Sequence, residues 1–75
     1  MYESNEIAER IKALAKARGL TLSKMLASAG LSYNTMTGYR TSVPKADNLA
    51  KIADVLNCSV DYLLGRTDNP EINRL

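Results

Sequence analysis

Seventy-five residues make one small domain, and a chain of this length buries only about 60% of the surface its unfolded form exposes, which argues against a deep cavity for a large cofactor. The composition, 45% apolar and 24% charged, is that of a folded globular chain, yet it has no His, no Trp, no Phe and a single Cys. Without His the commonest general base and metal ligand are missing, so neither an enzyme nor a metal site is expected.

Cys58 has no partner for an internal disulfide, and no Cys/His cluster exists for zinc. A lone thiol fits a reducing cytoplasm. No apolar run reaches the ~18 residues of a membrane span, and no signal-peptide layout opens the chain. No cofactor or small-molecule ligand is evident. Strong β-formers are few and scattered, so nothing reads as a strand.

Net charge is only +2, but it is unevenly spread. Residues 1–9 carry Glu3, Glu6 and Glu9 and no base. Residues 10–46 carry Arg10, Lys12, Lys16, Arg18, Lys24, Arg40 and Lys45 and no acid. Such a block suits a partner rich in negative charge, most simply nucleic acid. A solvated helical surface that happens to segregate charge is the other reading of composition alone.

In chain order, Ser4 or Asn5 is placed to cap a first helix, with Glu6 and Glu9 in its early turns, where the helix dipole favours acids. Ile7, Ile11 and Leu14 form one apolar stripe, widened by Ala8 and Ala15. Gly19 stops this helix, and Leu20 is a buried link. Thr21 caps a second helix over Leu22–Ala29, whose Met25 and Ala29 share a face. Gly30 suits a left-handed helix end, and Leu31 is a buried apolar anchor. Ser32 caps a third helix over residues 33–40, with Met36 and Tyr39 facing inward. Two capped helices about one glycine turn are the layout of a helix-turn-helix.

Pro44 ends the loop that follows, biasing Val43 to an extended form. A fourth helix runs over Ala46–Leu56 on a stripe of Leu49, Ile52, Ala53 and Leu56, with Asn57 as a left-handed cap. Ser59 caps a short fifth helix, Val60–Leu64, ended by Gly65. Residues 1–66 thus form the helix-turn-helix domain, and 67–75 are a polar tail, or the start of a linker if the chain is a piece of something longer. Cys58 reads as core rather than as a redox centre. Tyr62 packs at the surface or at a dimer contact, and both readings stay open.

Taken together, IAERIKALAKARGLT, the turn ASAGLS and PKADNLAKIADVLNCSVDYLLGRTD resemble the lambda-repressor/Cro-like (XRE-type) helix-turn-helix family over roughly residues 5–70. That family takes apolar residues at the positions of Met25, Ala29, Leu31, Met36 and Tyr39 and glycine at Gly30, and all of these match. Three positions depart from it. Leu22 stands where Gln is frequent, Leu26 where a small residue is preferred, and Arg40 where an acid is common.

The resemblance implies an all-α, compact five-helix fold. It also implies a sequence-specific DNA-binding transcriptional regulator of bacterial or phage-like type, most simply a repressor. Its third helix would enter the major groove, and a dimer would bind a palindromic double-stranded operator. A self-contact is expected at the fifth helix and tail, through Tyr62, Leu64 and residues 66–75.

With Met36 and Tyr39 inward, 100° steps turn Asn34, Thr37 and Gly38 outward, with Tyr33 and Thr35 on the flanks. Asn34 is the leading base reader, since an amide pairs with adenine N6 and N7. Thr37 reaches a base edge or a thymine methyl, and Tyr33 a methyl, a sugar or a phosphate. Gly38 either lets the helix backbone approach DNA or makes no contact. Phosphate contacts are expected from Thr21, Lys24, Ser32, Thr35, Arg40, Thr41, Ser42 and Lys45. The alternative is a protein-interaction module that kept the fold and lost the DNA, which Leu22 and Leu26 would favour.

Overall fold

The computed structural model describes residues 3–32, 34–39 and 41–71, and among them every regular element is a helix. These are α1 (Ser4–Ala17), α2 (Leu22–Ala29), α3 (Thr35–Gly38), α4 (Ala46–Leu56) and α5 (Val60–Leu64). The bounds of α2, α4 and α5 are those that the caps and apolar stripes predict.

Two helix limits are corrected. The N-cap of α1 is Glu3, not Ser4 or Asn5, and its side chain makes no capping hydrogen bond. Its carbonyl accepts from the Ile7 N–H at 3.1 Å, and Glu6 in the first turn offsets the positive helix end. The third helix is shorter than residues 33–40: the single turn Thr35–Gly38, entered at Asn34 and left at Tyr39. Two threonines and a glycine in TMTG are weak helix formers. Ahead of them the Thr35 N–H donates to the Ser32 carbonyl at 3.0 Å, a turn bond rather than a helical one. Tyr33 and Arg40 lie outside the described residues.

The longer helices α1, α2 and α4, and the short α5, all close in one way. A left-handed residue follows each helix, and the amide beyond it reaches back five residues, as in Leu31 N–H to Leu26 C=O at 2.9 Å and Cys58 N–H to Ala53 C=O at 3.0 Å. Asn57, at φ 54°, takes this role where α1, α2 and α5 use glycine.

The core gathers the stripes of all these elements. Ile7, Ile11, Met25, Ile52, Leu56 and Leu63 are fully buried, and Met36 and Tyr39 join them from α3. α2 packs chiefly on α4, while α1 touches α2, α4 and α5. Cys58 is buried and free, as its core reading expects. Burial pushes its thiol above the ordinary range, only partly opposed by the nearby Arg18 guanidinium. Leu26 is also buried, with an exposure of 3%, so the fold absorbs it.

Beyond α5 the chain turns back. The Ser59 N–H donates to the Pro70 carbonyl at 2.8 Å, which ties the described part of the tail to the start of α5. Arg66 pairs with Asp61 at 3.4 Å, and Thr67 and Asn69 side chains accept from the Asn69 and Glu71 amides. Among the described residues no helix is long and apolar enough to cross a membrane.

Candidate nucleic-acid interface

The unit is built from its caps upward. Thr21 Oγ1 accepts from the Lys24 N–H at 3.2 Å and starts α2. Gly30, at φ +73°, ends it in a conformation that costs a side-chain-bearing residue about 1–2 kcal/mol. That left-handed step redirects the chain so that Leu31 packs against the core; it and Leu20, both expected to be buried, are only half-buried, because each sits in a connection at the edge of the core. Ser32 Oγ then accepts from the Asn34 N–H at 3.2 Å, a local turn bond; the expected Ser32 cap is corrected, because the N-cap of α3 is Asn34, two residues later, and its side chain makes no capping bond.

Within α3 the predicted split of faces is present. Met36 and Tyr39 are buried, whereas Asn34, Thr37 and Gly38 are exposed. Thr35 is half-buried. The Gly38 carbonyl accepts from the Thr41 and Ser42 amides at 3.3 and 3.0 Å, and Thr41 Oγ1 donates to it at 3.5 Å. These bonds carry the chain out of α3 towards α4. A Cβ on Gly38 would meet nothing within 4 Å, so the protein itself places no steric demand for glycine there.

Tyr39 joins α3 to the start of α4. Its hydroxyl is buried beside the Asn48 amide but completes no hydrogen bond with a described residue. Burial raises its pKa above the usual phenol value. The Asn48 amide opposes this, and the Asp47 carboxylate adds to it.

Of the phosphate-contact candidates, Thr21, Lys24, Ser32, Thr41, Ser42 and Lys45 are all exposed. The first turn of α2 holds no acid, so its positive end is uncompensated. The rest of the basic block divides in a manner invisible to a charge count. Arg18 Nε donates to the Leu56 carbonyl at 2.9 Å, which binds the end of α1 to the end of α4. The Arg10 guanidinium lies against Gly65, where any Cβ would collide with it. Lys12 Nζ is 3.6 Å from Glu9 Oε1. Arg10 and Arg18 are therefore engaged within the fold, whereas Lys16, Lys24 and Lys45 are exposed.

One feature of the surface was not legible in the sequence. Leu22, Ser23, Leu26, Met36 and Thr37 line a cleft of about 220 Å³ between α2 and α3. A neighbouring recess of about 290 Å³ shares Leu22, Met36 and Thr37 and adds Lys12. Lys12 thus stands near the outward face of α3, though only the basic block hinted at it.

Comparison with known proteins follows the same lines. The model of the Cro/C1-type HTH DNA-binding domain matches residues 10–69. The chain is 34% identical over 65 residues, 84% of its length, to the HTH-type transcriptional regulator YobD of Bacillus subtilis. It is 35% identical over 72 residues, 93% of its length, to the cryptic phage CTXphi transcriptional repressor RstR of Vibrio cholerae. The matched parts span 58% and 64% of those two proteins.

Proposed function

The chain belongs to the family of Cro/C1-type helix-turn-helix DNA-binding domains, and we propose that it is a sequence-specific repressor of transcription that seats α3 in the DNA major groove. The observation that carries this reading is the exposed trio Asn34, Thr37 and Gly38 on a turn anchored by Met36 and Tyr39, inside a stretch without acids. Repression is favoured by the likeness to a phage repressor.

In this reading Asn34 pairs with an adenine, Thr37 meets a base edge, and Gly38 lets the backbone come close. Tyr33 completes the base-reading set. Thr21, Lys24, Ser32, Thr35, Arg40, Thr41, Ser42 and Lys45 hold the phosphates, which sets register without reading sequence. The protein acts in the cytoplasm as a dimer on a palindromic operator, because a single domain of this size makes a modest interface with DNA. Self-contact falls at α5 and the tail, where Tyr62 and Leu64 are half-buried against the core and leave one edge outward.

The test is a selection of bound duplexes from a random pool, followed by titration over a range of salt. A palindromic consensus is expected. With about three phosphates neutralised per protomer, the slope of log affinity against log salt is about −2.7. Absence of binding to any duplex at low salt, or binding indifferent to salt, would overturn the reading in favour of a protein-interaction module. Sedimentation of the protein with the selected duplex tests the dimer: one protomer per duplex would overturn it.

A further inference from the structure

From the cleft between α2 and α3 we infer a second sequence reader, which rests on the DNA-binding reading above: Leu22 and Thr37 form a socket for the 5-methyl group of a thymine. Leu22 is the first residue of α2 and stands outside the outward face of α3, so the recognition helix alone would not include it. It is half-buried, and it shares the cleft with Leu26 and Met36 below and with Ser23 and Thr37 at the rim. Three of these five side chains are wholly apolar, and Thr37 adds a methyl.

The occupant follows from what surrounds the cleft. Thr37 lies three residues after Asn34, so both project from one side of α3. The recess that shares Leu22, Met36 and Thr37 also holds Lys12. An apolar notch beside the Lys12 ammonium, opening at the first turn of α2, which holds no acid, is complementary to a polyanion that exposes a small apolar group. Major-groove DNA offers one such group, the thymine methyl, and it distinguishes thymine from cytosine by contact alone. Glutamine, frequent at the position of Leu22 in the family this chain resembles, would offer the cleft a polar amide in place of branched methyls.

The experiment uses the full chain and the duplex selected from the random pool, with each thymine replaced in turn by deoxyuridine, which deletes only the methyl. At one thymine in each half-site this should weaken wild-type binding about four-fold, the worth of one buried methyl. In Leu22→Ala the same replacement should cost nearly nothing. Thr37→Ser, which removes one exposed methyl and spares the core, should shrink the effect as well, and it decides the matter if Leu22→Ala does not fold. A methyl effect undiminished in the variants, or no methyl effect at any thymine, overturns the socket. If duplexes are still bound in a salt-dependent manner, only the socket falls. If no duplex is bound at low salt, the DNA reading falls with it.

Discussion

α4 and α3 are the two extremes of this molecule. α4 runs for 11 residues, buries Leu49, Ile52, Ala53 and Leu56, and packs along α2. α3 is a single turn of four residues with one of them, Met36, buried, and it is held by Met36, Tyr39 and the turn bonds at either end. The contrast separates two tasks. Stability comes from apolar area and so belongs to the long amphipathic helices. The outward face of α3 has almost no part in it, which leaves Asn34, Thr37 and Gly38 free to be chosen for what they touch.

The largest expected effect breaks the α4 side of this contrast. Ile52 is fully buried, and Ile52→Ala should cost about 2–5 kcal/mol, much of the stability of so small a domain. Urea denaturation would show it, and DNA binding would be lost together with the fold. Asn34→Ala should do the reverse. The melt should stay within about 0.5 kcal/mol of wild type, while affinity for the selected duplex falls by about 1–3 kcal/mol with relaxed preference at one base pair.

Gly38→Ala sharpens the comparison further, since a Cβ there meets only open space. The free protein should become about 0.5–1 kcal/mol more stable. Affinity should nevertheless drop, because the added methyl stands between helix backbone and DNA. A variant both more stable and equally tight would show that Gly38 makes no contact. Lys45→Ala should leave the melt unchanged, weaken all duplexes alike and reduce the salt slope by about 0.9.

The smallest effect concerns pH. Cys58 and Tyr39 both have pKa values raised by burial, so the folded state holds their protons more firmly than the unfolded chain. Their contribution is complete below the ordinary thiol value of about 8.5. It is lost as pH climbs past the ordinary thiol and phenol values towards those of the folded state. Denaturation series from pH 7 to 10.5 should show stability level at first and then declining, and Cys58→Ala should remove the earlier part of the decline.

Much of this architecture was legible in the chain itself, because its signals are local. Thr21 and Ser59 cap the helices they precede, Gly30 and Asn57 take the left-handed ends expected of them, and Gly65 ends α5. The length of α3 was less legible. Apolar spacing placed Met36 and Tyr39 inward, but it carries no penalty for the threonines and glycine between and beside them. The start of α1 was misplaced because two good capping residues lie just inside the helix that Glu3 begins.

The roles of the basic residues needed the folded chain. A charge count treats Arg10, Arg18, Lys24 and Lys45 as equals. Packing gives Arg18 to the Leu56 carbonyl and Arg10 to the surface of Gly65, contacts that span 38 and 55 residues and leave no periodic trace.

The sequence by itself determined the helices, their ends and the inward face of each, since propensity, capping and periodicity act over a few neighbours. It also marked residues 10–46 as free of acids. Only the tertiary structure decided which of those bases stay free, how short α3 is, and that Leu22 meets Thr37 across a cleft. Those outcomes depend on which surfaces are brought together when distant helices bury their stripes in one core.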